Sequence, residues 1–226
     1  MRAVLSGMLF FIFSSTMAQE FKTDVSYKYM FSNKWDKAIQ TYNFSRPFIE
    51  TKQPLLIHGI NASLSNIFKS SKRLKHGINL SYSYFKSSAE NQNLNNNLNL
   101  HFFNLGYIFH YKNNEKAKGL YTDLIISAVS SGLFRNVNDE PFEYDDKKSK
   151  AFGIGGDLSI RAGYYLNLKN KIYLSPFVLV GYTPYIYSPN SEAVINQTKG
   201  LVSNDWNGIF TTQVGFTFHV TQQKND

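Results

Sequence analysis

Hydrophobic and polar residues alternate along eight stretches of the chain, and the last stretch shows the pattern most plainly. Gly208, Phe210, Thr212, Val214, Phe216, Phe218 and Val220 fall on one side, and Asn207, Ile209, Thr211, Gln213, Gly215, Thr217 and His219 on the other. Side chains on a strand point to opposite faces with period two, so this segment predicts a strand with one apolar, aromatic face and one mostly polar or small face. The same alternation predicts strands over Phe21–Phe31, Leu55–Phe68, Leu74–Phe85, Leu98–Tyr111, Leu120–Phe134, Ala151–Leu168 and Ile172–Tyr187. In the first, Lys22, Asp24, Ser26 and Lys28 oppose Phe21, Val25, Tyr27 and Tyr29; in the sixth, Asp157, Ser159 and Arg161 oppose Leu158, Ile160 and Ala162.

Two segments depart from strict alternation. Leu98, Leu100 and Phe102 share one parity, while Phe103, Leu105, Tyr107 and Phe109 share the other, and a β-bulge near Phe102 would give that one-residue shift. Pro176 and Pro184 cannot donate to a ladder and predict irregularity in strand seven.

The connections alternate too. Lys69–Arg73, Lys112–Lys118 and Lys169–Lys171 are short; Ser32–Gln53, Lys86–Asn97, Arg135–Lys150 and Ser188–Asn204 are long. Short turns on one rim and long loops on the other match bacterial outer-membrane barrels, whose long loops lie outside the cell. The expected architecture is all-β, an eight-stranded antiparallel up-and-down transmembrane β-barrel with both termini on the periplasmic side. Aromatic residues cluster at the strand ends, as interface girdles require.

The start of the chain lies outside this pattern. Arg2, the apolar run Ala3–Phe13 and the small-residue ending Thr16-Met17-Ala18 have the layout of a secretory signal peptide. Residues 1–18 are therefore expected to be a cleaved leader, and 19–226 the barrel. The run is shorter than the roughly 20 apolar residues a membrane-spanning helix needs. With no cysteine, the chain has neither disulfide staples nor thiolate metal sites. The formal net charge is +8, and the excess sits in the three short turns and their flanks, including Lys72, Arg73, Lys75, Lys116 and Lys171. A basic ring there suits the anionic headgroups of the inner leaflet, whereas nucleic-acid binding would need a continuous basic groove with stacking aromatics.

Four sets of residues are candidates for chemistry or contact. Counting back from the Phe134/Ala151 hairpin puts Asp123 opposite Arg161, so a lumen ion pair is expected among Asp123, Arg161 and Asp157, in a barrel just wide enough for side chains to fill. Asp139, Glu140, Glu143, Asp145 and Asp146 form an acidic segment that could hold a divalent cation, although its spacing is not that of an EF-hand loop. The first long loop carries Trp35, Tyr42 and Arg46, residue types that dominate binding energy at interfaces; they are expected to contact a partner or else to pack on the barrel mouth. The five histidines are scattered, with no second histidine three or four residues away and no His-x-Ser pair. No catalytic set, metal site or cofactor is expected.

The segment Gln213-Val-Gly215-Phe-Thr-Phe218-His-Val220 resembles the C-terminal assembly signal of small eight-stranded outer-membrane barrels of the OmpA-domain/OmpX-like group, and the whole chain after the leader resembles that group in pattern. The resemblance implies an outer-membrane location and recognition of Gln213, Gly215, Phe218 and Val220 by the barrel-assembly machinery. Such barrels serve many roles, so fold analogy gives no function. The reading is a non-enzymatic barrel acting in surface interaction or as a subunit of an envelope complex. Its expected partners are outer-membrane lipids, the assembly machinery and an envelope protein, with no nucleic acid. Narrow porin-like transport and lipid-modifying catalysis are the alternatives.

Overall fold

The computed structural model describes residues 20–47, 51–69, 73–90, 94–113, 119–139, 148–169, 172–196 and 206–221. The predicted leader lies outside these residues, as does the acidic segment except Asp139, which ends a strand. The strands are β1 (Glu20–Phe31), β2 (His58–Lys69), β3 (Leu74–Glu90), β4 (Leu94–Lys112), β5 (Gly119–Asp139), β6 (Lys148–Lys169), β7 (Ile172–Tyr187) and β8 (Trp206–Thr221). Each pairs antiparallel with its sequence neighbour, and β1 pairs with β8 to close the barrel. Two helices lie in the connections: α1 (Asn33–Phe44) between β1 and β2, and α2 (Ser191–Asn196) between β7 and β8.

Closure satisfies the backbone within the sheet, and the outer surface shows what that allows. Val25, Ile60, Leu105, Ile126, Ile160, Val180, Val214 and Phe216 all stand exposed on the outer wall. In water such a belt would be an aggregation surface; in hydrocarbon it is the required one, since only a closed sheet or a helix can cross lipid without orphaned backbone groups. No described helix is long and apolar enough to cross a membrane. The molecule is a barrel that spans a bilayer with its strands.

The interior has two zones. Around the rim that holds the chain's described ends it is polar and charged: Glu20, Lys22, Asp24, His110, Asp123, Arg161 and His219 are all buried. Towards the opposite rim it turns apolar. There Met30, Phe85, Leu98, Leu100, Phe102 and Leu133 point inward and pack with Trp35, Ala38 and Ile39 of α1 and Val194 and Ile195 of α2. This change of filling, and not a bulge, explains β4. Its register with β3 and β5 runs unbroken from Tyr84↔His101 through Tyr82↔Phe103, so the bulge expected near Phe102 is absent. Leu98, Leu100 and Phe102 stay on the inner face throughout; they are apolar because the helices fill that end. The actual register shifts lie between Gly156 and Leu158 and between Asn167 and Lys169 of β6, and between Thr183 and Ile186 of β7, around Pro184. Pro176 sits in register opposite Phe216.

The expected long loops also differ in kind. Most of Lys86–Asn97 is strand, because β3 runs to Glu90 and β4 begins at Leu94. The first and fourth long connections hold the two helices. Ser32 caps α1, its Oγ accepting the Trp35 backbone N–H at 3.4 Å, and Trp35, Ala38, Ile39 and Tyr42 line up on one helical face.

Candidate functional site

The charged cluster is built by strand parity. Every second residue of β1 points inward, so Glu20, Lys22, Asp24 and Lys28 enter the lumen from one strand, and β4, β5, β6 and β8 add His110, Asp123, Arg161 and His219. Arg161 lies in register with Asp123, and its Nη1 is 3.5 Å from Asp123 Oδ2. Its closer partner is Asp24, whose Oδ2 accepts from Nη2 at 2.5 Å. The Arg161 guanidinium also stacks on Phe177, 4.5 Å from the ring centre. Asp123 is shared further: Lys22 Nζ stands 3.5 Å away and His110 Nδ1 2.5 Å away. Asp157, the third residue of the expected set, takes its hydrogen bonds elsewhere, from Ser159 Oγ at 2.5 Å and Thr183 Oγ1 at 2.9 Å.

A second group adjoins the first at the same end. Glu20 Oε1 accepts from Tyr165 OH at 2.8 Å and lies 3.0 Å from His219 Nδ1, while Lys75 Nζ reaches Glu20 Oε2 at 2.8 Å. Tyr165 OH is also 3.1 Å from His110 Nε2, joining the two groups. Asp24, Glu20, His110 and Tyr165 have no place in the ion pair expected from sequence. The signal was the same parity rule, applied to all eight strands at one height.

This cluster is a packed filling. An inner gap lined by Lys28, Asn61, Asp157, Arg161 and Gln213 among others has a volume of ≈ 20 Å³, enough for about one water molecule. The described residues offer no group of His, Asp and Glu arranged to hold a metal ion.

Above it sits the cap. Trp35 is 1% exposed and donates its Nε1–H to Ser191 Oγ at 3.2 Å. Tyr42 is 4% exposed and accepts from Asn96 Nδ2 at 3.1 Å. Arg135 reaches in from β5, donating to Val194 O at 3.0 Å and to Ile195 O, while stacking on Tyr42 at 4.3 Å. Arg46 also stacks on Tyr42, at 4.2 Å, and donates to Asn196 O at 3.2 Å. Trp35 and Tyr42 thus pack on the barrel mouth, one of the two roles expected of them. Trp35 and Tyr42 have no exposed surface to offer, and Arg46 staples α1 to α2. Partial burial raises the Asp36 carboxyl in the first turn of α1 above the ordinary aspartate range, against the lowering effect of its backbone hydrogen bond with Ser32.

At the seam, Gln213 points inward and accepts from Ser26 Oγ at 3.0 Å, whereas Phe218 and Val220 face outward. Gly215 pairs with Ser26, and a Cβ there would lie 2.3 Å from Val25 O. Backbone cannot yield as a flexible side chain can, so β1 and β8 approach closely enough only if residue 215 lacks a side chain. Gly215→Val is expected to stop the seam from closing. In refolding into detergent, the fraction that migrates as the compact, heat-modifiable form on gels should fall several-fold.

No protein-family model matches the chain, and no curated protein sequence does. Among solved structures it is similar to Neisserial surface protein A, NspA, at 10% identity over 90% of this chain and 96% of that one, with a TM-score of 0.52. Others are Ail of Yersinia pestis (11% identity, 90% and 99% covered, TM-score 0.43) and the outer membrane protease OmpT from Escherichia coli (9%, 91% and 97%, 0.44). The NspA likeness is one of fold: a small eight-stranded membrane barrel.

Proposed function

We propose that the chain is an outer-membrane barrel, exported behind the leader 1–18, that neither conducts solutes nor catalyses a reaction and acts through its capped face. The observation that carries this reading is the double closure of the lumen, by charged side chains at one end and by the α1/α2 core at the other. A conducting barrel needs a continuous wet path, and the ≈ 20 Å³ inner gap is no such path. The acid–base groups Glu20, His110, Asp123 and His219 are enclosed in the wall with no room for a substrate, which argues against a lipid-modifying role. On this reading the termini and the basic short turns face the periplasm and the cap faces outward. Gln213, Gly215, Phe218 and Val220 are the residues the assembly machinery would read.

The contact surface then lies on the outer side of α1. Phe44 is 88% exposed there, with Lys37 also exposed. A large ring left in water beside a folded core is a better candidate anchor for an envelope protein than the buried Trp35. The test is a mild-detergent pull-down of the tagged full chain from its own membrane. Wild type is expected to retain a stoichiometric envelope protein, and Phe44→Ala with Lys37→Glu to lose it. A solitary wild-type barrel, or an unchanged complex in the variant, would contradict the contact role.

A further inference from the structure

The outer wall is not uniform around the barrel. Across β4 to β8 an apolar groove of ≈ 940 Å³ opens on the membrane-facing side, lined by Phe103, Leu105, Ala128, Ile154, Gly156 and Trp206 among others. Its floor is low because Ala128 and Gly156 are opposite each other in register and neither carries a long side chain. The β6–β7 register slips beside it, between Gly156 and Leu158, and a Cβ on Gly156 would meet nothing closer than Ser127 O at 3.8 Å.

Rows of paired residues continue the groove towards the capped rim. The next row is an aromatic shelf of Tyr84, His101 and Phe152, with Gly132 between. Phe134 and Phe152 fold over that glycine edge to face, 5.7 Å apart, and His101 meets Phe134 at 5.4 Å. Tyr82 OH lies 2.6 Å from His101 Nδ1. One step higher the row reads Lys86, Asn99, Phe134, Lys150, with both lysines exposed. Lys150 Nζ sits 6.0 Å over the Phe152 ring. Above that stand Ser88, Asn97 and Asn136.

From the groove upward, the wall thus offers hydrocarbon, aromatic rings at an interface, two cations, and carboxamides. That order matches an acylated, phosphorylated disaccharide: chains in the groove, esters and sugar at the rings, phosphates at the cations. Lys86 on β3 and Lys150 on β6 stand in one row, three strands apart around the ring. Two cations flanking one strip suit a headgroup with a phosphate at each end of a disaccharide better than one phosphodiester. We propose that this strip is a binding site for a diphosphorylated glycolipid of the lipid A type in the outer leaflet, its acyl chains lying in the groove and its phosphates at Lys86 and Lys150. The site rests on the outer-membrane placement proposed above and not on the contact role of α1.

The test uses the full chain in mild detergent and native mass spectrometry with added lipid. Diphosphoryl lipid A is expected to be retained as one molecule per barrel. Lys86→Gln with Lys150→Gln should weaken retention at least tenfold, and Ala128→Trp, which fills the groove, should do the same. Monophosphoryl lipid A and phosphatidylglycerol should each bind wild type at least several-fold more weakly than diphosphoryl lipid A. Lys37→Gln with Phe44→Ala should leave retention unchanged, separating this site from the contact surface. Equal binding of phosphatidylglycerol to wild type, or undiminished lipid A binding by the folded lysine variant, would overturn the assignment. The wild-type lipid comparison decides the matter even if the variants fail to fold.

Discussion

Arg161→Ala is expected to destabilise the barrel by about 3–5 kcal/mol, the usual cost of removing one partner from a buried ion pair. Arg161 is 2% exposed, and both carboxylates it serves are fully buried. The loss falls unevenly. Asp123 keeps Lys22 and His110, whereas Asp24 keeps only the Ser63 hydroxyl among the described residues. The damage should therefore be repaired at Asp24. Asp24→Asn combined with Arg161→Met removes the stranded charge and keeps the volume, and most of the lost stability should return, because neutral replacements of a buried pair are often tolerated. Asp157→Asn should cost less, since its hydrogen bonds come from the neutral hydroxyls of Ser159 and Thr183 and the asparagine keeps an oxygen to accept them, although Lys28 loses a counter-charge. Guanidinium unfolding in micelles, followed by the gel shift between compact and unfolded forms, checks all three. Unchanged unfolding of Arg161→Ala would sink the idea that this charge cluster stabilises the fold.

The second large effect is expected at the cap. Trp35→Ala removes the largest side chain of the apolar core at that rim, together with its packing on Phe102 at 6.2 Å and its hydrogen bond to Ser191. Truncating a buried aromatic ring typically costs about 3–5 kcal/mol. Here the cost should be local, because α1 and α2 hang from the barrel by loops while the ladder closes without them. Limited proteolysis is expected to cut the α1 segment of the variant much faster than that of wild type, with the barrel fragment intact and still heat-modifiable. Phe44→Ala, on the same helix but 88% exposed, should change stability by no more than about 0.5 kcal/mol.

These two sites show what was legible in the sequence. Eight strands and their faces follow from period-two alternation, because lipid outside and polar filling inside impose opposite demands on neighbouring residues, and the Asp123↔Arg161 register follows from counting back from the Phe134/Ala151 hairpin. Alternation tells only which face a residue occupies, so it could not tell that Asp24, three strands away through the closed sheet, would be the nearer partner of Arg161. It also misleads where both faces are apolar. Leu98, Leu100 and Phe102 looked like a change of phase because the inside of that rim is filled by helices. Those helices had their own signal in Ser32 as a cap and in the i, i+3, i+4, i+7 spacing of Trp35, Ala38, Ile39 and Tyr42. Read as an irregular loop, the same rings looked like contact residues. The lipid-facing strip is harder still to read, since it needs four strands set in register before Ala128, Gly156, Lys86 and Lys150 share one surface.

The central claim is that the lumen is closed at both ends, and ion conductance of the purified full chain in a planar bilayer tests it most directly. No discrete conductance steps are expected from wild type, and none from Trp35→Ala, because the charged filling below the cap remains. Reproducible single-channel steps from folded wild-type protein would contradict it.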